Sequence, residues 1–287
     1  MTAGVVRQRV VWASPLLLLV GLLPGRVHAW SEAGHRVVAL IAEAHLKDAA
    51  KAHAADLMGG SGLEAVATRA DFFRDAHDGQ DTIEIERATI HGADTRAWHF
   101  VNIPVHQGNR PSRYHRSRHC AQDNCVVEQL VRFTDILSEP GRRRDERAAA
   151  LKFIVHLMAD LHQPLHCAEK GRDRGGNNVP VIFFGQDSTL HAVWDDGLIA
   201  RTGVEPRPYA RKLAMDLTPQ RIARLQRGNV VAWAEEAHRA AARNAYVLPT
   251  PLNLDEAYYR RNLPVVNDML AKAGLRLAHV FNGAFKN

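Results

Sequence analysis

The chain has 287 residues, of which 46% are hydrophobic and 24% are charged, and its formal net charge is +6. This balance is typical of a globular protein with one large domain or two small ones, and it excludes a low-complexity or fibrous chain. The first 29 residues hold three arginines and no acid, so the rest of the chain carries a charge near +3. Such a mildly basic balance gives only weak support for a polyanionic partner.

Residues 1–29 have the pattern of a cleaved secretory signal peptide. Arg7 and Arg9 form a positive region, residues 10–23 are mostly apolar, and residues 27–29 resemble a small-x-small cleavage site. We therefore expect a secreted or periplasmic protein. The apolar stretch is short for a membrane helix, although an uncleaved anchor stays open, and no later run is long enough to span a bilayer.

Cleavage after Ala29 would make Trp30 the first residue of a mature chain, 30–287, which we expect to fold as one domain. A terminal amine has a pKa near 8, so its neutral form is available to a metal ion. The amine and carbonyl of Trp30 and the imidazole of His35 would then lie close together. The alternative is that Trp30 only begins a helix.

Most of the chain after residue 29 has helical periodicity, which predicts a mainly helical, all-α fold. We predict helices over residues 34–56, 148–162, 229–246 and 254–277, with Pro264 as a start or kink of the last. Residues 178–194 differ, because a β-rich run followed by a Gly-Gln-Asp-Ser turn predicts a short hairpin. Residues 107–118 and 171–178 are predicted loops, and residues 142–144 a solvated helix entry.

Three cysteines lie after the predicted signal peptide. Cys120 and Cys125 are close in sequence and flanked by polar residues, so in an oxidising compartment we expect a small disulfide loop. Two free thiols are the alternative, and a zinc pair is disfavoured. We interpret Cys167 as a small buried side chain rather than a nucleophile.

The strongest group of candidate metal ligands begins in the predicted helix 148–162. His156 and Asp160 are four residues apart and share a helix face, so they can point at one metal ion, or Asp160 can bridge two. The break at Pro164 lets His166 reach a neighbouring position. A core histidine paired with a buried aspartate is the alternative. His162 lies off the shared face, so we place it in the core or in support of a ligand.

Two shorter motifs also pair a carboxylate with a basic side chain. His191 and Asp195 are again four residues apart, and this spacing favours Asp195 over its neighbour Asp196. Asp71 and Arg74 lie three apart on one predicted helical face, where a surface ion pair is the alternative.

His99 lies between Trp98 and Phe100, a setting in which a histidine is more often packed than ligating. Imidazole and carboxylate ligands without thiolates suit Zn²⁺ in a catalytic site, with positions left open for water. The order of the candidates along the chain is more specific than any single pair. In that order they are Trp30, His35, Asp71, His99, His156, Asp160, His166, His191 and Asp195.

This pattern resembles the S1/P1 nucleases, zinc-dependent secreted enzymes that cleave single-stranded nucleic acid. The resemblance extends over nearly all of residues 30–287, and its most specific stretch is 153–166, which contains the run His-Gln-Pro-Leu-His. It implies an all-α fold of the phospholipase C/P1 nuclease type. It also implies endonuclease activity on single-stranded DNA and RNA, with 5′-phosphorylated products, and activity on 3′-nucleotides.

The same resemblance implies three zinc ions. The implied ligand sets are Asp71, His99, His156 and Asp160 for the first, His166, His191 and Asp195 for the second, and the Trp30 amine and carbonyl, His35 and a bridging Asp160 for the third. Zinc at such a site lowers the pKa of water to near 7 and supplies hydroxide for in-line attack on phosphorus. Asp71 would fix Arg74, which would add positive charge at the transition state; an ion pair that only supports Asp71 is the alternative.

Substrate contacts are also implied. Phe100 matches a position where the family stacks a base, which requires an unpaired base and tolerates any sequence; a core role is the alternative. Asn102 stands where some members have an aspartate against the base edge. Asn177 belongs to a loop near the cleft in the family, but it could equally shape a turn. The sequence gives no clear oligomer signal, and we expect a monomer.

Two other functions compete with this interpretation. A zinc-dependent phospholipase C shares the fold, the N-terminal tryptophan and the three-metal site, but the mild basic charge, Phe100 and the Asp71–Arg74 spacing favour nucleic acid. A zinc-storage protein is the other alternative. Open coordination positions and a bridging aspartate favour catalysis over storage.

Overall fold

The structure, a computed structural model, describes residues 1, 30–75, 94–215 and 217–286, with the backbone alone at residues 74 and 75. The predicted signal-peptide segment, apart from Met1, and the side chain of Arg74 therefore lie outside the described residues. In the part of the chain that is described, no helix combines the length and apolarity that a membrane crossing needs.

The described residues are mainly helical, which confirms the predicted all-α fold. The helices are α1 (Glu32–Ala44), α2 (Asp48–Leu57), α3 (Arg69–Asp75), α4 (Arg116–His119), α5 (Val126–Ser138), α6 (Arg144–Leu161), α7 (Leu190–Ala192), α8 (Leu198–Ala200), α9 (Pro206–Ala214), α10 (Pro219–Leu225), α11 (Val230–Ala240) and α12 (Glu256–Ala284). A π-helical segment, Val193–Gly197, joins α7 to α8, and another, Ala241–Ala245, extends α11.

The short strands form two small sheets. They are β1 (Val105–His106), β2 (Arg110–Pro111), β3 (Pro180–Phe183), β4 (Gln186–Thr189) and β5 (Asn253–Leu254). The hairpin β3–β4 confirms the one predicted near 178–194, and β5 pairs parallel with β3. The predicted Gly-Gln-Asp-Ser turn of this hairpin is wrong. Phe184 and Gly185 make the turn, and the following Gln-Asp-Ser belongs to β4. Both turn residues have positive φ, 47° and 81°, as a two-residue hairpin turn of this twist requires.

The single helix predicted over 34–56 is wrong, because α1 ends at Ala44 and α2 begins at Asp48. A side chain from α12 holds the corner between them. Asn282 Oδ1 accepts from the backbone N–H of Lys47 at 2.8 Å, and Asn282 Nδ2 donates to the carbonyl of His45 at 3.1 Å. A tertiary contact from a residue more than 230 positions away therefore overrides the local periodicity.

The last helix is longer than predicted and does not start at Pro264. It begins after Asp255, whose side chain accepts from the backbone N–H of Ala257 at 3.0 Å, a typical helix N-cap. The helix packs closely against α1. A Cβ at Gly274 would lie 2.6 Å from the Cβ of Ile41, so only glycine permits this crossing.

Helix α6 lies at the centre of the core and positions the candidate site. It packs against α2, α3, α5 and α12, and from Ala149 to Leu161 every residue except Lys152 is buried. A helix buried on all sides has little freedom to shift, because protein interiors are close-packed. The polar side chains of α6 that face inward are therefore held at fixed positions.

The cysteine predictions are confirmed. Cys120 and Cys125 form a disulfide with a Cα–Cα distance of 5.3 Å, which closes the loop that leads into α5. Cys167 is free and fully buried, and its Sγ lies 3.3 Å from the carbonyl of Leu161. Burial raises the pKa of the Cys167 thiol, which therefore stays protonated at neutral pH.

Candidate active site

The candidate ligands predicted from the sequence converge on one buried region. The histidines and aspartates concerned are at most 8% exposed, and they are His35, Asp71, His99, His156, Asp160, His166, His191 and Asp195. They form three groups that could each hold a metal ion, with ligand atoms within 4.8 Å of one another. The groups are His35 with His156 and Asp160, Asp71 with His99 and His156, and His166 with His191 and Asp195.

The first predicted ligand set is brought together by α3, a 3₁₀ turn (Arg96–His99) and α6. Asp160 Oδ2 lies 2.9 Å from His99 Nδ1 and 3.1 Å from His156 Nε2. Asp71 Oδ1 lies 3.5 Å from His156 Nε2 and 3.9 Å from His99 Nδ1. Four side chains from distant parts of the sequence therefore surround one point.

Asp160 lies between this set and a second one. Its Oδ1 atom is 3.2 Å from His35 Nε2, whereas Oδ2 makes the His99 and His156 contacts. The two carboxylate oxygens thus contact different histidines, as a bridging carboxylate requires. The predicted shared helix face of His156 and Asp160 is confirmed by their 3.1 Å contact.

Trp30 is completely buried beside His35. Its carbonyl oxygen contacts His35 Nδ1, and the His35 ring stacks on the His156 ring with 4.1 Å between centroids. Gly34 permits this arrangement, because a Cβ there would lie 2.9 Å from the Cβ of Trp30. The carbonyl and imidazole of the third predicted set are therefore adjacent.

The remaining set combines the 3₁₀ turn after α6 (Pro164–Cys167) with α7 and its π-helical extension. His191 Nε2 is 3.1 Å from Asp195 Oδ2, and His166 Nε2 is 3.6 Å from Asp195 Oδ1. Asp196 points to solvent. The structure therefore places Asp195, as the four-residue spacing predicts, and not Asp196 in this group.

Backbone carbonyls orient three of the histidines. The contacts are His156 Nδ1 to Ala67 O at 2.9 Å, His166 Nδ1 to His99 O at 2.7 Å and His191 Nδ1 to Gly175 O at 2.7 Å. With Nδ1–H donating to a carbonyl, Nε2 faces the group and is the nitrogen that a metal ion would take. Hydrogen bonds of this kind fix the tautomer and ring orientation of metal-ligating histidines.

Several buried polar atoms in these groups have no hydrogen-bond partner among the described residues: His35 Nε2, Asp160 Oδ1 and Asp195 Oδ2. Burying such atoms unsatisfied is costly, whereas a cation coordinated by them removes the cost. Imidazole nitrogens and carboxylate oxygens are also the ligands that zinc takes in catalytic sites. The residues present therefore fit a metal ion.

The charges at the site hold Asp160 and Asp195 ionised. Burial lowers the pKa of His156, but the charges of Asp160 and Asp71 outweigh burial and raise this pKa to about 9. Burial raises the pKa of Asp195, but His191 and His166 outweigh it and bring this pKa to about 2. The pKa of Asp160 is likewise well below its usual range, since His156 outweighs the effect of burial. The field of these carboxylates attracts cations.

The residues predicted to contact substrate differ in their exposure and in their contacts. Phe100 is 38% exposed and follows His99 directly. Asn102 is half-buried, and Asn177 is half-buried with its side chain donating to the carbonyl of Arg174 at 2.9 Å, which is a turn contact. His162 lies in the core, outside the three groups, as expected for a residue off the shared face.

Gln163 also belongs to the site, although no motif assigned it a role. This residue is fully buried, its Nε2 donates to Asp195 Oδ1 at 2.5 Å, and its Oε1 accepts from the backbone N–H of Leu165 at 2.5 Å. It therefore connects the end of α6 to a candidate ligand on another segment. The available signal in the sequence was a polar residue inside the run His-Gln-Pro-Leu-His, three residues before the candidate ligand His166.

The fold and the site define a mainly helical protein with three adjoining groups that could hold metal ions. A model of the family described as S1/P1 Nuclease matches residues 30–286. The chain belongs to this family, which confirms the resemblance inferred from its motifs, and it is a nuclease of the hydrolase class.

Similar proteins agree with this assignment. Nuclease S1 of Aspergillus oryzae is 27% identical over 277 residues, which cover 88% of this chain and 90% of that protein. Endonuclease 3 of Arabidopsis thaliana is 29% identical over 301 residues, with 96% and 95% covered. Nuclease P1 of Penicillium citrinum is 25% identical over 280 residues, with 88% and 97% covered. The phospholipase C alternative is not favoured.

Proposed function

We propose that this protein is a zinc-dependent endonuclease that cleaves single-stranded DNA and RNA to 5′-phosphorylated products and also removes the phosphate of 3′-nucleotides. The observation that carries the proposal is the position of Asp160. One oxygen of its carboxylate faces His99 and His156, and the other faces His35. Such a shared carboxylate suits closely spaced metal ions, as in two-metal phosphodiester hydrolysis.

Three zinc ions would be held by the ligand sets given above, and bound zinc supplies an activated water near neutral pH and neutralises phosphate charge. The protein's own contribution is to fix the ligands before substrate arrives. The backbone carbonyls at residues 67, 99 and 175 orient His156, His166 and His191. Arg74, which follows Asp71 by three residues, is proposed to add positive charge beside the phosphate.

Phe100 is proposed to stack one base of the substrate. Two hydrogen bonds fix the backbone around it, because the N–H of Val101 donates to His166 O at 2.7 Å and the N–H of Val126 donates to Phe100 O at 3.1 Å. The backbone that carries the exposed ring is therefore fixed relative to His166 and to the start of α5. Stacking needs an unpaired base, so this contact favours single strands. We propose Asn102 and Asn177 as further substrate contacts.

The proposed active form begins at Trp30, after removal of residues 1–29, and is a secreted or periplasmic monomer with one domain. The Cys120–Cys125 disulfide supports this location, because disulfides persist in oxidising compartments. The buried position of Trp30 next to His35 supports a ligand role for the new terminal amine.

A paired assay on protein that begins at Trp30 tests the function. Single-stranded DNA and RNA are one set of substrates and phosphatidylcholine vesicles the other, each with and without a chelator. Release of 5′-nucleotides that the chelator abolishes and added zinc restores is the expected result. Lipid cleavage without nucleic-acid cleavage would contradict the proposal, and so would nuclease activity that persists in chelator.

A further inference from the structure

Two aromatic side chains of the described residues are exposed to solvent. Among the phenylalanine, tyrosine and tryptophan side chains that the structure describes, only Phe72 and Phe100 are exposed, at 59% and 38%. Leaving a phenylalanine in water forfeits its hydrophobic stabilisation, and an exposed ring offers a face on which a base can stack. Phe72 has no role in the site as described so far.

Both exposed rings border the same group of candidate ligands. Phe72 follows Asp71 in α3, and Phe100 follows His99. Asp71 Oδ1 and His99 Nδ1 are only 3.9 Å apart, and consecutive Cα atoms are separated by about 3.8 Å. Each ring therefore belongs to a residue directly next to a ligand of the same candidate metal group.

The neighbours of Phe72 fix its direction. Phe73 packs inward against Phe153 with 5.4 Å between ring centroids, and Ala70 is buried, so α3 is anchored by the opposite face. Successive residues of a helix point about 100° apart, and Phe72 is consequently turned toward solvent. Its exposure thus follows from the packing of the helix that carries Asp71.

A cation lies against this ring. The guanidinium carbon of Arg69 is 5.4 Å from the centroid of Phe72 and 6.0 Å from that of Phe73. An aromatic ring with an arginine beside it is a common platform for single-stranded nucleic acid, because the ring stacks on a base and the cation strengthens the interaction and attracts phosphate.

We propose that Phe72, with Arg69 against it, is a second base-stacking subsite. It takes the base on the 3′ side of the scissile phosphate, while the base on the 5′ side stacks on Phe100. This inference rests on the proposed nuclease function. The ligand class is any single-stranded nucleic acid with a nucleotide on each side of the cleaved bond. A 3′-nucleotide carries only the 5′-side base, and it therefore does not reach Phe72.

Steady-state kinetics on two substrates separates the subsites. Phe72→Ala is expected to raise KM about tenfold for a dinucleotide, the effect of losing one stacked base, and to leave KM for a 3′-nucleotide unchanged. Phe100→Ala is expected to raise both. Phe72→Trp keeps an aromatic face and should keep the wild-type KM. Met215→Ala, which shortens an exposed apolar side chain on another part of the surface, is the matched control.

A binding measurement supplies a readout other than turnover. A dinucleotide with 2-aminopurine at its 3′ nucleotide and a hydrolysis-resistant phosphorothioate link should lose fluorescence on binding, since stacking quenches this base. Phe72→Ala and Phe72→Leu should both lose the quenching, because leucine is apolar but has no aromatic face. Circular dichroism is expected to show unchanged folding, as Phe72 is not part of the core.

Two results overturn the proposal in different ways. If the wild-type protein cleaves dinucleotides and Phe72→Ala has the same KM and the same quenching, the subsite is wrong and the proposed function stands. If the wild-type protein, loaded with zinc, cleaves neither dinucleotides nor 3′-nucleotides, the proposed function fails and the subsite fails with it.

Discussion

Arg276 donates from Nη1 to Nε2 of His162 at 2.9 Å, a contact that joins α12 to the last turn of the helix that carries Asp160. His162 Nδ1 lies 2.8 Å from the carbonyl of Met158, so the ring donates at one nitrogen and accepts at the other. Only a neutral imidazole can do both. Burial, followed by the charge of Arg276, lowers the pKa of His162 to about 3.

This contact predicts acid sensitivity of folding. Between pH 6.5 and pH 3 the unfolded chain binds a proton at His162 that the folded protein does not, so the stabilisation is complete above pH 6.5 and is lost as the pH falls. The loss from this group between pH 6.5 and pH 5 is about 2 kcal/mol. Urea unfolding at several pH values, in chelator, measures this loss. As the pH falls, the free energy of unfolding should decrease less for His162→Gln than for wild type. An equal decrease in both proteins would contradict this role of His162.

Gln163 is expected to act as a positioning residue for the group of His166, His191 and Asp195. Its Nε2 holds Asp195 Oδ1 and leaves Oδ2 turned toward His191. Supporting hydrogen bonds of this kind contribute about 10–100-fold to metal affinity. Gln163→Leu should therefore lower the zinc affinity of this group by the same factor. Competition with a chelator, followed by elemental analysis, measures it.

The matched control for this variant is Gln129→Ala, which removes another buried glutamine. Gln129 lies on α5, and its Nε2 donates to the carbonyl of Asp123 at 2.9 Å. Zinc affinity should be unchanged in this control. If both variants lose zinc affinity equally, the effect of Gln163→Leu comes from a general loss of packing.

The bridging position of Asp160 predicts an unequal loss of metal between two variants. Asp160→Asn should remove two of three zinc ions, since Asp160 belongs to two ligand sets, whereas His191→Ala should remove one. Both should lower nuclease activity by at least 100-fold. Elemental analysis after gel filtration checks the stoichiometry. Asp196→Asn, next to a proposed ligand but exposed, should keep three ions. Equal losses for the first two variants would show that Asp160 does not bridge.

The proposed role of the terminal amine can be tested by one added residue. Protein that begins at Ala29 places an amide where the amine of Trp30 would be, and an amide nitrogen is a poor metal ligand. We expect the bound zinc to fall from three ions to two, while protein that begins at Trp30 keeps three. Unchanged zinc content would exclude the amine as a ligand, although the His35 imidazole and the Trp30 carbonyl are adjacent.

Spacing within one helix predicted much of the site. His156 and Asp160, and likewise His191 and Asp195, had to share a face, and the structure confirms both pairs. Spacing could not show that Asp71 meets His99, because these residues lie on separate segments whose contact depends on α6. That part of the site came from the family resemblance.

The residues that sequence reasoning missed depend on tertiary contacts. Asn282 breaks the predicted first helix through two hydrogen bonds from α12, and no local pattern indicates this. Phe72 and Phe73 have the same chemistry, yet one is exposed and the other packs on Phe153. Which face of α3 is buried is decided by the neighbouring helix and not by α3 itself.

The most direct test of the central claim is anomalous X-ray scattering at the zinc edge from crystals of protein that begins at Trp30. We expect three zinc peaks, one at each of the proposed ligand sets, with Asp160 between two of them. A structure of active protein with no metal at these residues, or with a single ion at one set, would contradict it.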